Sequence, residues 1–487
     1  NKGVVLQENN GNYTLDTTNS AADTVNLTSN GKVDTDGKTY YTQDKTAEIS
    51  TNKLKENSLT AVITGNGDKT AFSYTGKDLN NKKDELILEN TTATGYFVNN
   101  GTFLNIENAD LALINTKVNV VSESGDYSDL IAVNLNGGNL SLIGESSIYG
   151  KIAGKGGASY VAHNNPDEKQ KIDVTENVIL KNDNNENYNL TGENKTEAVF
   201  SLLKANNLIL DFAVKDSINT NKVTLNNAEL KSIDGSSSTE KIELTLDSTE
   251  KVGNITLGQN DDKFTVTNSS HNGIIDMGAG DNDEFNVSMG AVDTTNHHKE
   301  AGNTFDYKVN GAEKIVLNGD GWHIGENAEL NAGTTTKAGE KTTLHIADKG
   351  SLHVDMNNNY GAGNVTTSLD KMASGADLSL STGTDAEVKF VVGDKFDVSQ
   401  KQFDVAHSYS VAGANLGTAV IFKGTGTNGA VEEKDGKISL TVKEASEVGL
   451  SGYEGIYNAV LKGLSKDDDL RNAVNYQDES NLVSMIK

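Results

Sequence analysis

Residues 242–266, IELTLDSTEKVGNITLGQNDDKFTV, hold three short apolar alternations: Ile242-Glu243-Leu244-Thr245-Leu246, Ile255-Thr256-Leu257 and Phe264-Thr265-Val266. Period two over so few residues describes strands that send alternate side chains inward. The same rhythm runs towards the N-terminus through Val223-Thr224-Leu225, Leu208-Ile209-Leu210, Val178-Ile179-Leu180, Leu140-Ser141-Leu142, Val118-Asn119-Val120, Leu111-Ala112-Leu113 and Leu86-Ile87-Leu88. Towards the C-terminus it continues in Phe285-Asn286-Val287, Ile315-Val316-Leu317, Leu344-His345-Ile346 and Leu352-His353-Val354. Between the alternations lie Asn, Gly, Asp, Ser and Thr. The pairs Asn136-Gly137, Asn272-Gly273 and Asn310-Gly311 are expected to take the positive φ of tight bends.

Two folds compete for such a pattern. Antiparallel sandwiches would need several domains joined by linkers, and no linker-like break in composition occurs before about residue 445. A parallel β-helix stacks short strands, three per coil, along one axis with no such break. Its coils tolerate asparagine, whose amides can ladder from turn to turn. The chain has 487 residues, 35% of them hydrophobic, with 48 glycines and one proline, and its mean hydropathy is −0.49. A thin core extended over many coils reconciles that length with that polarity. The expectation is an all-β, right-handed parallel β-helix.

The net charge of −27 repels a phosphate backbone and an anionic bilayer, so neither nucleic acid nor direct lipid binding is expected. Arg471 is the single arginine, which leaves the repetitive body without a bidentate fork for phosphate or carboxylate. Cysteine is absent. That suits a chain threaded through a membrane pore, and it suits a biased genome equally well. The chain opens without a basic-then-apolar leader, and no apolar run reaches the roughly 20 residues of a membrane span. It reads as an excised mature fragment.

Two stretches break the rhythm. Residues 150–171 contain the one proline, Pro166, and read as a projecting loop with Tyr160 and His163; residues 32–55, with Tyr40 and Tyr41, read likewise. Loops of this kind are where solenoids place binding residues, although inert insertions look the same. From Glu447 the spacing turns helical, with Ile456, Val460, Leu461 and Leu464 on one face. The reading is therefore a β-helix over 1–304, C-terminal coils over 305–446, and a helical or partly disordered tail over 447–487 that leaves the β body.

Chemistry-bearing motifs are few. Gly278-Ala279-Gly280-Asp281-Asn282-Asp283 resembles one turn of a calcium-binding roll, with Asp261, Asp262, Asp281 and Asp283 as candidate ligands. The matching turn starts at Gly258, 20 residues earlier rather than nine, a spacing that suits one β-helix coil better. His297-His298 with His271 could suggest a transition metal, but adjacent strand residues point to opposite faces. No Gly-x-Ser-x-Gly nucleophile turn occurs. Trp322 and the tyrosines could serve as sugar platforms or as core caps. The reading is a non-enzyme; a polysaccharide-degrading β-helix and a released toxin-like passenger are the alternatives.

Residues 305–325, FDYKVNGAEKIVLNGDGWHIG, resemble the stretch that many type V autotransporters carry near the end of their passenger. The matching positions are Phe305, Glu313, Ile315, Leu317, Gly319, Trp322 and Ile324, with Ala312 where an aromatic is common. Residues 258–264 and 278–285 are similar to coils of the same family, and the Asn/Lys/Gly-rich composition is similar to large fusobacterial outer-membrane adhesins. The resemblance implies a folding-nucleating region over 305–446 and a helical linker towards the protein's own translocator barrel. It further implies surface display and attachment to a host receptor or glycan or to a partner bacterium.

Overall fold

The computed structural model describes backbone from Leu6 to Lys487 with intervening breaks, the longest at 17–23, 29–37, 163–177, 213–219, 289–301 and 332–340. Side chains are described chiefly over 53–140 and 220–487. Parallel pairing of short strands dominates. The chain divides into two compact units: Asn1–Phe264 with Ser269–His271 and Gly278–Gly280, and Thr265–Asn268 with Asn272–Met277 and Asp281–Lys487. Among the described residues, no helix is long and apolar enough to cross a membrane.

In the first unit each coil contributes one strand to each of three faces. Asp84–Glu89, Ala109–Ile114 and Asn139–Ile143 stack in parallel on one face, with Leu86, Leu111 and Leu140 in register and Leu88, Leu113 and Leu142 beside them. Leu86, Leu88, Leu111, Leu113 and Leu140 have no exposed surface, because period two sends each of them inward. The steps are 25 and 29 residues, so coil length varies with the turns. Thr92–Phe97 with Lys117–Ser122, and Gly101–Glu107 with Leu130–Asn136, form the other two faces. Beyond residue 200 the architecture changes. The ten-residue strand Leu203–Phe212 pairs with Val178–Lys181 at one end and Asn187–Gly192 at the other, merging two faces into one. From there a coil has two strands, and Thr220 lies opposite Lys241 after only 21 residues.

The expected asparagine ladder exists on the exterior, where Asn134 Nδ2 donates to Asn105 Oδ1 at 2.8 Å and Asn105 Nδ2 to Ser73 Oγ at 3.4 Å. A second ladder, of hydroxyls, runs inside the turns. Asn90 and Asn115 take left-handed φ of 48° and 46°, each followed by a buried threonine. Thr91 N donates to Thr116 Oγ1 at 3.2 Å, and Thr116 N to Ser146 Oγ at 3.1 Å. Thr116 Oγ1 in turn donates to Leu88 O at 2.8 Å. Asn227 and Ser248 repeat the bend, with Thr249 N donating to Ser269 Oγ at 2.8 Å, 20 residues on. Of the Asn-Gly pairs, Gly311 has φ 77°, Asn272-Gly273 holds no left-handed residue, and Gly137 lies outside the described residues. The left-handed residue turns the next side chain inward, and where that residue is threonine its hydroxyl bonds backbone on two coils. Thr116→Val keeps the shape but leaves the Thr91 amide unpaired in the interior. The expected cost is about 1–3 kcal/mol in urea unfolding, against a negligible cost for the exposed Thr92→Val.

In the second unit the columns continue with Phe285 opposite Ile315 and Leu344 next in register, and with Val287, Leu317 and Ile346 beside them. After Ser351 the pairing becomes mixed. Ser351–Asn358 pairs in parallel with Glu387–Val392 but antiparallel with Asn364–Thr367. Lys437–Val442 pairs antiparallel with Gln402–Val405, Phe422–Gly424 and Glu433–Lys434. Residues 305–446 are therefore coils followed by an antiparallel cap. Apolar alternation looks alike in parallel and antiparallel strands, and a coil stack that ends on an open strand edge would present unpaired backbone. The core there is aromatic, with Phe396, Phe403 and Phe422 edge to face at centroid separations of 5.2–5.5 Å.

Both stretches read as loops contain strands. Lys38–Tyr41 pairs antiparallel with Ala47–Ser50, while Lys151–Lys155 and Ser159–Ala162 take their places in the parallel stack. Gly154 and the lysines at each end of Lys151–Lys155 hid its rhythm, since a strand with one apolar pair gives little periodic signal. The tail is helical: α1 (Ser368–Met372) belongs to the body, and α2 (Glu454–Gly463), α3 (Asp468–Tyr476) and α4 (Glu479–Ile486) follow the last strand. Asp467 and Asp478 cap α3 and α4, accepting from Leu470 N and Asn481 N. These helices fold back onto the strands, with α3 seated on Glu387–Val392.

Candidate functional site

The candidate residues with described side chains fall into three places, two of them announced by the sequence. The motif Phe305–Gly325 lies inside the second unit, between coils. Thr304 and Phe305 pair with His323 and Ile324. Trp322 N donates to Ser351 O at 3.0 Å, and its carbonyl accepts from His353 N at 2.7 Å. Phe305, Ile315, Leu317 and Trp322 have no exposed surface and Ile324 very little. Phe305 packs with Phe285 and Tyr307 at 6.2 and 5.2 Å. Gly319 has φ 125°, a conformation that strains any side chain, and a Cβ there would crowd Asn303 Nδ2 at 3.0 Å. Glu313 reaches the preceding coil, where its Oε2 accepts from Asp283 N at 2.6 Å. Trp322 is thus a core residue and presents no ring to solvent.

The four aspartates divide between the units, Asp261 and Asp262 in the first and Asp281 and Asp283 in the second. Asp262 is buried two residues before the inward Phe264, and its two oxygens accept from Ile242 N at 2.8 Å and Gly258 N at 2.7 Å. It therefore closes a coil turn. Buried polar groups also join the two preceding coils, where Asn221 Nδ2 donates to Glu240 Oε2 at 2.8 Å. In the second unit Glu313 accepts from the main-chain N of Asp283, as Asp262 does from Ile242 N. Gly278 serves close approach: Ala279 N donates to Gly258 O at 3.0 Å, and a Cβ on Gly278 would collide with that oxygen. Asp261 is half-buried and Asp281 exposed. Among the described residues no group of three or more His, Asp or Glu is placed to hold a metal ion. His271 is buried with Nε2 2.6 Å from Gly253 O, and burial lowers its pKa; His297 and His298 lie outside the described residues.

Burial pushes the Asp262 carboxyl from 3.8 up to about 6, against the two amide bonds that lower it. The folded state therefore holds its proton more tightly than the unfolded state between those values. Stability from this residue falls as pH rises from about 4 to about 6, and is flat above. Wild type is expected to gain about 1 kcal/mol between pH 7 and pH 5 relative to Asp262→Asn, from urea midpoints at both pH values. Parallel shifts in the two proteins would remove the assignment.

Tyr40 and Tyr41 lie on the strand Lys38–Tyr41, and Tyr160 on Ser159–Ala162 opposite Leu140 and Ala198. Their side chains and His163 lie outside the described residues.

The third place escaped the sequence reading. A cavity of about 480 Å³ opens in the second unit. Its floor is the ends of successive strands at Ile324–Glu326, Asp355–Asn357 and Val392–Asp394; one wall is the start of α1, and the roof is α3. Asn475, on the last turn of α3, fixes the roof. Its side-chain amide donates to Val392 O at 2.9 Å and accepts from Val392 N at 2.8 Å, as a neighbouring strand would. Lys389, also buried, donates from Nζ to Asn475 O at 2.7 Å, placing a cation at the helix C-terminus. Burial lowers its pKa, opposed by Glu387. Tyr476 Oη lies 3.2 Å from His323 Nε2, and His323 Nδ1 lies 3.7 Å from Asp355 Oδ2. His353 packs against both rings at 5.1 Å. In the sequence His323 and His353 were strand residues in an alternation and Asn475 one polar position among many in the tail. The one available signal was the apolar pair Ala473-Val474, which announces a helix face that must be covered.

Comparison with known proteins gives no neighbour: no family model, no curated protein and no solved structure matches this chain.

Proposed function

We propose that this chain is scaffold from the passenger of a surface-displayed bacterial autotransporter, a stalk that serves attachment to host cells or partner bacteria. In this reading the coils over 305–446 fold first and template those before them, since a formed coil offers the next one a complete strand edge. The helices after 447 then lead towards the protein's own membrane barrel. The observation that carries the proposal is the burial of the Phe305–Gly325 motif between two coils. Trp322 is hydrogen-bonded through both its amide and its carbonyl to residues 351–353, while the neighbouring His323 N donates to Asn303 O at 2.7 Å. A segment tied on both sides acts as a seed for its neighbours.

The test is surface display of the barrel-fused chain, read by antibody on intact cells and by protease resistance. Deleting Phe305–Gly325 is expected to abolish protease-resistant display, while deleting a first-unit coil of similar length, residues 92–116, leaves the second unit displayed. Unchanged display after the first deletion would overturn the proposal.

A further inference from the structure

We infer that the cavity roofed by α3 is a binding site for a small neutral polyhydroxylated ligand, a terminal saccharide unit being the chemical class that fits. At about 480 Å³ it falls within the roughly 300–1,000 Å³ of small-molecule sites. Its rim offers the carboxylates of Glu326, Asp355 and Asp394, the amide of Asn472 and the Ser368 hydroxyl, with Tyr476 beside them. Carboxylates accept from hydroxyls, and amides both donate and accept.

The charge around the cavity selects among ligands. Its two cations are already engaged: Lys371 Nζ donates to Glu326 O at 2.7 Å, while Arg471 donates to Leu464 O at 2.9 Å and pairs with Asp468. The three carboxylates outnumber the two cations, and Arg471 is already paired with Asp468, a balance that disfavours an anion. They are also too far apart for a metal, since no trio of acidic or imidazole groups is placed to share one among the described residues. A ligand with many hydroxyls and no charge can use separated acceptors one at a time. The walls need little rearrangement: strand ends form the floor, and Asn475 and Lys389 tie the roof to it. Pre-formed walls lower the entropy lost on binding. This inference stands on the cavity alone and is independent of the scaffold reading, because binding is measured on purified protein without display.

The experiment is calorimetric titration of the purified full chain with methyl glucoside, methyl galactoside and N-acetylglucosamine. Glucosamine and N-acetylneuraminic acid are the cationic and anionic comparators, and Trp322 emission is a second readout. Saturable binding of at least one neutral sugar is expected, weakened about tenfold or more by Asn472→Ala and by Asp394→Ala at unchanged unfolding midpoints. Both side chains line the cavity without a role in the fold. Absence of saturable binding by any neutral sugar, binding of a charged comparator only, or unchanged affinity in both variants would each overturn the inference.

Discussion

Replacing Trp322 with alanine is expected to destabilise the second unit by about 3–5 kcal/mol, the range for emptying a fully buried indole. Trp322 has no exposed surface and forms a parallel bridge with Leu352 of the next coil. Its indole nitrogen, buried, meets no hydrogen-bond acceptor among the described residues. The side chain therefore contributes by packing alone. Trp322→Phe, which refills most of the volume and removes an unpartnered N–H, should cost less than half as much. Far-UV circular dichroism through a urea titration reads both, since the chain's one tryptophan cannot report its own removal. If alanine and phenylalanine cost the same, the indole is not what fills that space. In a stack where each coil rests on its neighbour, a cavity here weakens two interfaces at once.

Asn475→Asp is expected to release α3 from the sheet at a cost of about 2–5 kcal/mol. The amide closes a two-bond ring with Val392 N and O. Aspartate keeps the acceptor, loses the donor, and sets a buried charge against the Val392 carbonyl. Hydrogen exchange at the Val392 amide and proteolysis between residues 464 and 468 should rise together, while the parallel strands of the first unit stay protected. Lys389→Met is the comparison. It removes a buried cation whose pKa burial already lowers, so its cost should be smaller than that of losing the amide ring. Protection at Val392 unchanged in Asn475→Asp would mean that α3 is held by apolar contacts such as Val474, which is fully buried.

The inward residues were legible without coordinates. Leu86, Leu111, Val223, Ile242, Phe264, Phe285, Ile315 and Leu344 are each the first apolar residue of an alternation, and each is buried. Local geometry explains this: side chains alternate about a strand whatever the strand pairs with. The 20-residue recurrence of the glycine turns was legible for a related reason, since backbone closes upon backbone there and only glycine fits. The role of the aspartates beside those turns was not. A carboxylate that caps two amides and one that binds calcium look identical in a string of letters, and the donors that decide, Ile242 N and Gly258 N, are main-chain atoms without a residue code.

The same division runs through the whole molecule. Period two was enough to specify strands, their buried faces and a helical end, because each follows from how neighbouring residues are oriented along the chain, and the stacked parallel architecture followed from the length of the chain without a linker-like break. Partners distant in sequence had to be seen: the merging of two faces at Leu203–Phe212, the antiparallel cap over Lys437–Val442, and the return of α3 to Val392. Those choices rest on main-chain hydrogen bonds and on single side chains such as Asn475, whose binding groups are common to every polar residue of their type. What they touch is set by where the folded chain brings them.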